Sequence, residues 1–279
     1  MSNTISSTLK PDAVVNALIT VANNRLAPLR AFSKLFSPDV MRPGATLQIP
    51  LATAGAAGQT NPTNFETGDT TLTPISVTLA LKTVSFHVTQ SDLNHGFGLE
   101  HVAPAAAQSF CNLLSDVYTA VMTVANYGAG IPIGVAQTFA GDSLAPVLAA
   151  AKNFNAKNLL LDAGHLAYLL PTDKFHFALG EQGAYGFDLI AQQNRWSAAS
   201  NAVGFVCSPD AVAIGAGRPA TPQTNQFDSV AEFVLPDLEL PVLYKTWFNT
   251  ATRTQWGSFE CMFGAAVGDA TQGEVLVTA

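Results

Sequence analysis

The stretch from Glu100 to Gly128 constrains this chain more than any other, because its apolar residues keep to a single face throughout. Ala103, Ala106, Ala107, Phe110, Leu114, Val117, Val121 and Val124 recur mainly at steps of three and four, which lays one stripe along a helix. Gln108, Asn112, Ser115, Asp116, Thr119, Thr123 and Asn126 form the other, polar face. Glu100 and Pro104 suit a first turn, where a carboxylate meets the positive end of the dipole, and Gly128 suits a left-handed stop. A helix of that extent is roughly 43 Å long. That is the span of a small domain, so the segments on either side must lie against it.

What those segments look like follows from period and punctuation. Residues 1–44 carry a short helix through Val14, Val15, Leu18 and Ile19, headed by Asp12, and then Arg25, Arg30, Lys34 and Arg42 among Pro28, Pro38 and Pro43. This part reads as an arm lying on other surfaces, with little core of its own. From Thr46 the period becomes two, with Leu47, Ile49 and Leu51 on one face of a strand. Ala52 to Thr71 offers Phe65 as its one large apolar group, too little burial to fix its own conformation. A second strand runs over 75–89, where the apolar parity of Ile75, Val77, Leu79 and Leu81 switches to Val84, Phe86 and Val88. Such a switch marks a change of buried face, so 46–89 reads as a projecting hairpin entering a packed domain.

Beyond Gly128, the run Gly130 to Gly134 is a turn. It has no lysine and follows a helix, where a phosphate loop needs a preceding strand. A helix through Leu144 to Ala151, a strand over 158–161, a helix over 163–170, a loop over 182–196, a strand over 202–207 and a short helix over 209–214 then alternate, as in a compact α/β unit over 141–235. From Leu240 the pattern returns to strands at 242–249, 252–263 and 274–277, which need the long helix to cover them.

Composition decides the class. Only 12% of residues are charged while 48% are hydrophobic, against about a quarter charged in an ordinary soluble domain. The longest uncharged run, 117–141, is broken by polar, Gly and Pro residues, so it is no membrane span, and an obligate oligomer is the reading that remains. The Ser/Thr-rich start lacks a signal-peptide pattern. A net charge of −7 weighs against tight phosphate binding. Cys111, Cys207 and Cys261 read as reduced, buried thiols. His87, His95, His101, His165 and His176 have no metal-ligand spacing, and no nucleophile elbow or carboxylate pair emerges, so no catalytic, metal or cofactor site is expected. Trp196, Trp247 and Trp256 read as core and interface anchors rather than a ligand box.

An arm, a projecting hairpin, a long helix, an α/β unit and a return in long strands together resemble the major capsid protein of tailed double-stranded DNA bacteriophages, the Hong Kong 97-like fold. Pro43 to Pro50 is similar to the strand entering the family's extended loop, 157–162 and 203–212 to its axial-domain elements, and 264–273 to its final strand turn. The resemblance implies an α+β fold with an N-arm at 1–44, an extended-loop hairpin at 45–90, a peripheral domain at 91–140 and 236–279 with its spine helix at 100–128, and an axial domain at 141–235. It implies a structural protein that self-assembles through hexamers and pentamers into an icosahedral head. Portal protein, a separate scaffold or decoration protein and packaged DNA held without sequence-specific binding would be its partners. Its place would be the virion capsid, made in the cytoplasm of a bacterial host. An encapsulin-like cargo shell is the alternative nearest in fold, and an enzyme with an unrecognised site the alternative in another class.

Two features depart from parts of that family. A long charged helical extension is absent at the start, so a scaffold would be a separate chain. No lysine lies between Ala52 and Thr71, so lysine–asparagine cross-linking through the loop is not expected. The loop tip should instead be ordered by a neighbouring subunit, with Phe65 as anchor and Glu66 and Asp69 as charge partners, carried outward by strands rising ~3.3 Å per residue. Arg25, Arg30, Lys34 and Arg42 form the basic cluster expected to face the shell's interior.

Overall fold

A computed structural model describes residues 9–54, 60, 71–154, 156–169, 186–193, 195–196, 201–221 and 227–278. In chain order these give helix α1 (Leu9–Arg25), a 3-10 turn (Ala27–Ala31), strands β1 (Ser33–Met41), β2 (Thr46–Ala54), β3 (Thr71–Thr78) and β4 (Ala80–Thr89), and helices α2 (Gln90–Asn94), α3 (Leu99–Thr119) and α4 (Val124–Tyr127). The short β5 (Ile131–Pro132) follows, then α5 (Ala145–Ala150), β6 (Asn158–Leu161), α6 (Ala163–Leu169), β7 (Leu189–Gln192), β8 (Ala202–Cys207) and β9 (Val212–Pro219). The chain closes through β10 (Ser229–Leu235), β11 (Leu240–Asn249), β12 (Thr254–Val267) and β13 (Gly273–Val277).

The long helix is α3, and it stops nine residues short of Gly128. At 21 residues it spans about 31 Å. Its end is local chemistry. The Thr119 hydroxyl donates to the Ser115 carbonyl at 2.9 Å, and the amides of Val121 and Met122 reach back only three residues, tightening the last turn. Thr123 is extended at φ −119°, ψ 153°, and the Asn126 side-chain amide takes up the freed Val121 carbonyl at 2.7 Å. The buried face also differs from the sequence reading. It runs through Cys111, Ser115 and Tyr118, with Val117 only half-buried and Val124 exposed. Ser115 and Thr119 tolerate burial because their hydroxyls find partners within the helix.

Fourteen-residue β12 organises the main sheet. Along one side it pairs antiparallel with β4, from Thr254 to Phe263. Along the other it faces first β11, over Asn249↔Thr254 to Leu243↔Glu260, and then β9, over Met262↔Gly217 to Val267↔Val212. β10 extends β11 antiparallel, and β1 extends β9 in parallel. Phe259, Cys261 and Phe263 point to the α3 side, where Phe110 meets Phe259 at 6.0 Å between ring centroids. The core is completed by α1. Val14, Leu18, Ala22, Leu26, Leu29 and Phe32 are buried in it, and Phe32 lies 5.9 Å from Tyr118. Through these residues the segment read as an arm contributes to the core. The stripe Val14-Leu18-Ala22 was visible, but only the neighbouring face of α3 gives it somewhere to bury.

A second sheet has the order β5-β13-β8-β6-β7 and is packed against α5 and α6 through Val147, Leu159, Leu161, Leu166, Ile190 and Val206. Three expectations fail here. The segment 209–214 is a 3-10 turn (Pro209–Ala211) followed by β9, because Val212, Ala213, Ile214 and Ala216 form a run buried on both faces. Residues Leu189–Gln192, expected in a loop, form β7 beside β6. The last strand leaves the long strands and pairs with β8 in this second sheet. Asn158 ties this sheet to the 3-10 turn before β1, its side-chain amide donating to the Ala31 carbonyl at 2.9 Å in a buried site.

The hairpin β2-β3 pairs antiparallel as the period-two pattern requires, with Leu47↔Val77 and Ile49↔Ile75. The strand changes partner at Leu79, whose amide bonds the Ala45 carbonyl before β4 joins β12. The described part of the hairpin does not project freely. Leu47, Ile49, Leu51, Val77 and Leu79 are buried against Ala213 and Met262 of the main sheet. Gly264 permits this approach, since a Cβ there would sit 2.2 Å from the Thr78 carbonyl oxygen.

Candidate interaction surfaces

The face of the main sheet away from α3 is built differently along its length. One end is covered by the hairpin. At the other end a row of rings crosses three strands and continues to Phe227. Trp247 of β11 stacks on Trp256 of β12 at 6.0 Å and 8°, His87 of β4 lies 4.5 Å from Trp256, and Phe227 meets Trp247 edge-on at 5.8 Å. The two indoles are half-buried and His87 is exposed. The cause is register. Trp247 and Trp256 flank a four-residue connection, and pairing of Asn249 with Thr254 brings them directly opposite one another. Trp256 spends its ring N–H on the Thr254 hydroxyl at 2.8 Å, which fixes its orientation.

Next to this row, Lys245 and Glu260 form an ion pair at 2.5 Å with side chains only 14% and 13% exposed. The ammonium also lies 5.1 Å from the centre of the Phe227 ring. A charge pair this well covered is held by geometry rather than by solvent. Trp196 is elsewhere, packed on the main core with its ring nitrogen buried and without a partner among the described residues. The tryptophans therefore split into one core anchor and one surface pair. The sequence carried the signal for the pair in the short 250–253 connection, which sets the hairpin register.

The four basic residues do not share one partner set. Arg25 donates to Asn112 Oδ1 at 3.3 Å. Arg30 pairs with Asp237 at 3.5 Å. Lys34 stands over its neighbour Phe36 at 5.7 Å, and Arg42 follows the end of β1, exposed. Phe65, Glu66 and Asp69 lie outside the described residues.

The titratable groups are deployed structurally. Burial pushes the Cys111 thiol up to about 12 and raises those of Cys207 and Cys261 further, so none is poised as a thiolate. All three are free and buried. His165 bridges Asp162 Oδ1 at 2.6 Å and the Gly134 carbonyl at 3.2 Å, His95 binds the Ser91 carbonyl at 2.7 Å, and His101 Nδ1 accepts the Gly98 amide at 3.2 Å. Among the described residues no three His, Cys, Asp or Glu side chains converge as a metal site, and no helix is long and apolar enough to cross a membrane.

No protein-family model matches the chain, and no curated protein is significantly similar to it in sequence. Its architecture, however, matches solved structures over nearly the whole length. A virus-like particle from Pyrococcus furiosus superposes with a TM-score of 0.58 at 11% identity, covering 95% of this chain and 98% of that one. The capsid of a native GTA particle gives 0.56 at 12% identity, covering 92% and 91%. The capsid of Cyanophage P-SCSP1u gives 0.51 at 13% identity, covering 89% and 86%. The chain has the α+β Hong Kong 97-like capsid fold.

Proposed function

We propose that this protein is the major capsid subunit of a tailed double-stranded DNA phage, a structural and non-enzymatic component that closes into an icosahedral head around the genome. The observation that carries the reading is that the fold matches the capsid chain of Cyanophage P-SCSP1u over 89% of this chain and 86% of that one. Hexamers and pentamers of this chain would build the shell, with a portal protein and a separate scaffold or decoration protein as partners. The low charge content, 12%, and the half-buried aromatic row fit a surface designed to be covered by copies of itself.

On this reading 1–44 is the N-arm, 45–90 the extended loop, 91–140 with 236–279 the peripheral domain and 141–235 the axial domain. The tip carrying Phe65, Glu66 and Asp69 clasps a neighbouring subunit, and Arg25, Arg30, Lys34 and Arg42 face packaged DNA without gripping it. The product is a virion capsid made in the host bacterial cytoplasm. Electron microscopy of the purified, expressed protein tests the core of the proposal: closed icosahedral particles support it and small discrete particles overturn it. Boiling those particles in detergent should release a single 29.2 kDa species. Deleting 55–68 should leave a folded subunit that no longer closes.

An encapsulin-like cargo shell is the second reading, favoured by the extent of the match to the Pyrococcus furiosus virus-like particle. Nucleic acid inside particles isolated from their native source selects the phage head, and a protein cargo selects the cellular shell.

A further inference from the structure

A cavity of about 240 Å³ opens between the C-terminal end of α1, the middle of α3 and the segment after β7. Its walls include Asn24, Arg25, Asn112, Ser115, Gln193 and Arg195, and among the described residues no apolar side chain lines it. This is unusual where two helices of a core meet, since the same α1 and α3 bury Leu18, Ala22, Phe110 and Leu114 a turn away. Roughly 30 Å³ per water molecule gives the space room for a compact polar group together with a few waters.

The walls are held before anything enters. Gln193 and Ser115 are 2% and 3% exposed. The Tyr118 hydroxyl lies 3.0 Å from Gln193 Oε1 and 3.2 Å from Ser115 Oγ, and the Gln193 amide donates to the Arg195 carbonyl at 3.3 Å. Asp116 takes Arg195 by its Nε at 2.8 Å and one Nη at 2.6 Å, which orients the guanidinium and leaves its other terminal nitrogen free of that carboxylate. Arg25 uses one terminal nitrogen on Asn112 Oδ1, so the Asn112 amide nitrogen remains a donor on the same wall. Two guanidiniums against one carboxylate leave a local charge of about +1, with amide and hydroxyl donors around it.

We propose that this cavity binds a singly charged phosphate-type oxyanion, supplied either by free phosphate or by one phosphodiester of a nucleic-acid strand. Charge, donor type and size all match that group, and a singly charged anion brings the set to neutrality. Arg25 thereby separates from Arg30, which spends its guanidinium on Asp237. The proposal does not rest on the shell reading, because free phosphate would bind whatever the assembled state.

The test is calorimetric titration of the full-length protein with sodium phosphate at constant ionic strength, with sodium chloride as the blank. Saturable binding is expected, weakened about tenfold or more by Arg25→Gln, the loss of one charge-assisted contact, and unchanged by Arg30→Gln. Asn112→Asp, which keeps Arg25 but places a carboxylate in the cavity, should abolish binding, and circular dichroism confirms that each variant is folded. Competition of phosphate by a short DNA duplex, lost in Arg25→Gln, assigns the site to a strand; absence of competition assigns it to the free anion. Identical heats for phosphate and chloride, or equal losses in Arg25→Gln and Arg30→Gln, overturn the proposal and leave Arg25 as a cation compensating the C-terminal end of α1.

Discussion

The two faces of β12 use the same backbone for opposite purposes. Toward α3, Phe259, Cys261 and Phe263 are fully buried, and Phe259 meets Phe110 and Tyr244. Toward the other side, Trp256 stands half-open in a row with Trp247 and His87, and Glu260 is closed over by Lys245. Alternation of side chains along a strand makes this possible. It teaches that a chain poor in charge need not hide all its apolar mass in its own core. Rigid aromatics held in fixed register on a second face offer contact area to another molecule at low entropic cost.

Truncation on the two faces should therefore differ in kind. The largest effect belongs to Phe259→Ala, which should cost roughly 3–5 kcal/mol of subunit stability, read as a lowered denaturant midpoint. A loss below 1 kcal/mol would mean that the α3 face is not the packed one. Lys245→Met comes next. Stranding Glu260 beside aromatic rings should cost on the order of 2–3 kcal/mol, less than the 3–5 of a fully buried pair because both side chains keep some water contact. The double change Lys245→Met, Glu260→Leu should recover most of it.

The core face should also be chemically silent. Folded protein at pH 8 should take up no iodoacetamide at Cys111, Cys207 or Cys261, and denatured protein should label at all three. The sign of the linked pH effect follows from the same burial. Unfolded thiols lose protons around 9.0, whereas the folded Cys111 thiol holds its proton to about 12. Stability from this source is therefore intact below pH 9 and falls as pH rises from 9 toward 12. Flat stability across that window would contradict it. On the open face, Trp247→Ala with Trp256→Ala should cost about 1 kcal/mol of ring pairing in addition to the area the two indoles lose, and what sets it apart from the core truncation is that assembly into particles is impaired. Normal particle yield from that variant would remove the aromatic row from the interface.

Much of the order along the chain is local and so was legible. The α3 stripe, the period-two strands of the hairpin, the strands at 158–161 and 202–207 and the burial of the cysteines all follow from neighbours within a few residues. Errors arose where a local pattern admits two answers. Val212 to Ala216 is short, apolar and uninterrupted, which a helix turn and a doubly buried strand both accept, and only β1 and β12 on either side settle it. The end of α3 at Thr119 was hidden because β-branched Val121 and Val124 continue the stripe that the backbone has already left.

The sequence by itself determined which segments are helix or strand in most places, that the chain is charge-poor, and that the thiols are buried. Tertiary structure alone decided that α1 is core, that β13 crosses to the second sheet and that the basic residues part company. The reason is physical. A helix or strand is specified by contacts within a turn or a pleat, whereas a buried face acquires its partner only when distant segments such as α1 and α3, or β8 and β13, close their loops and exclude water together.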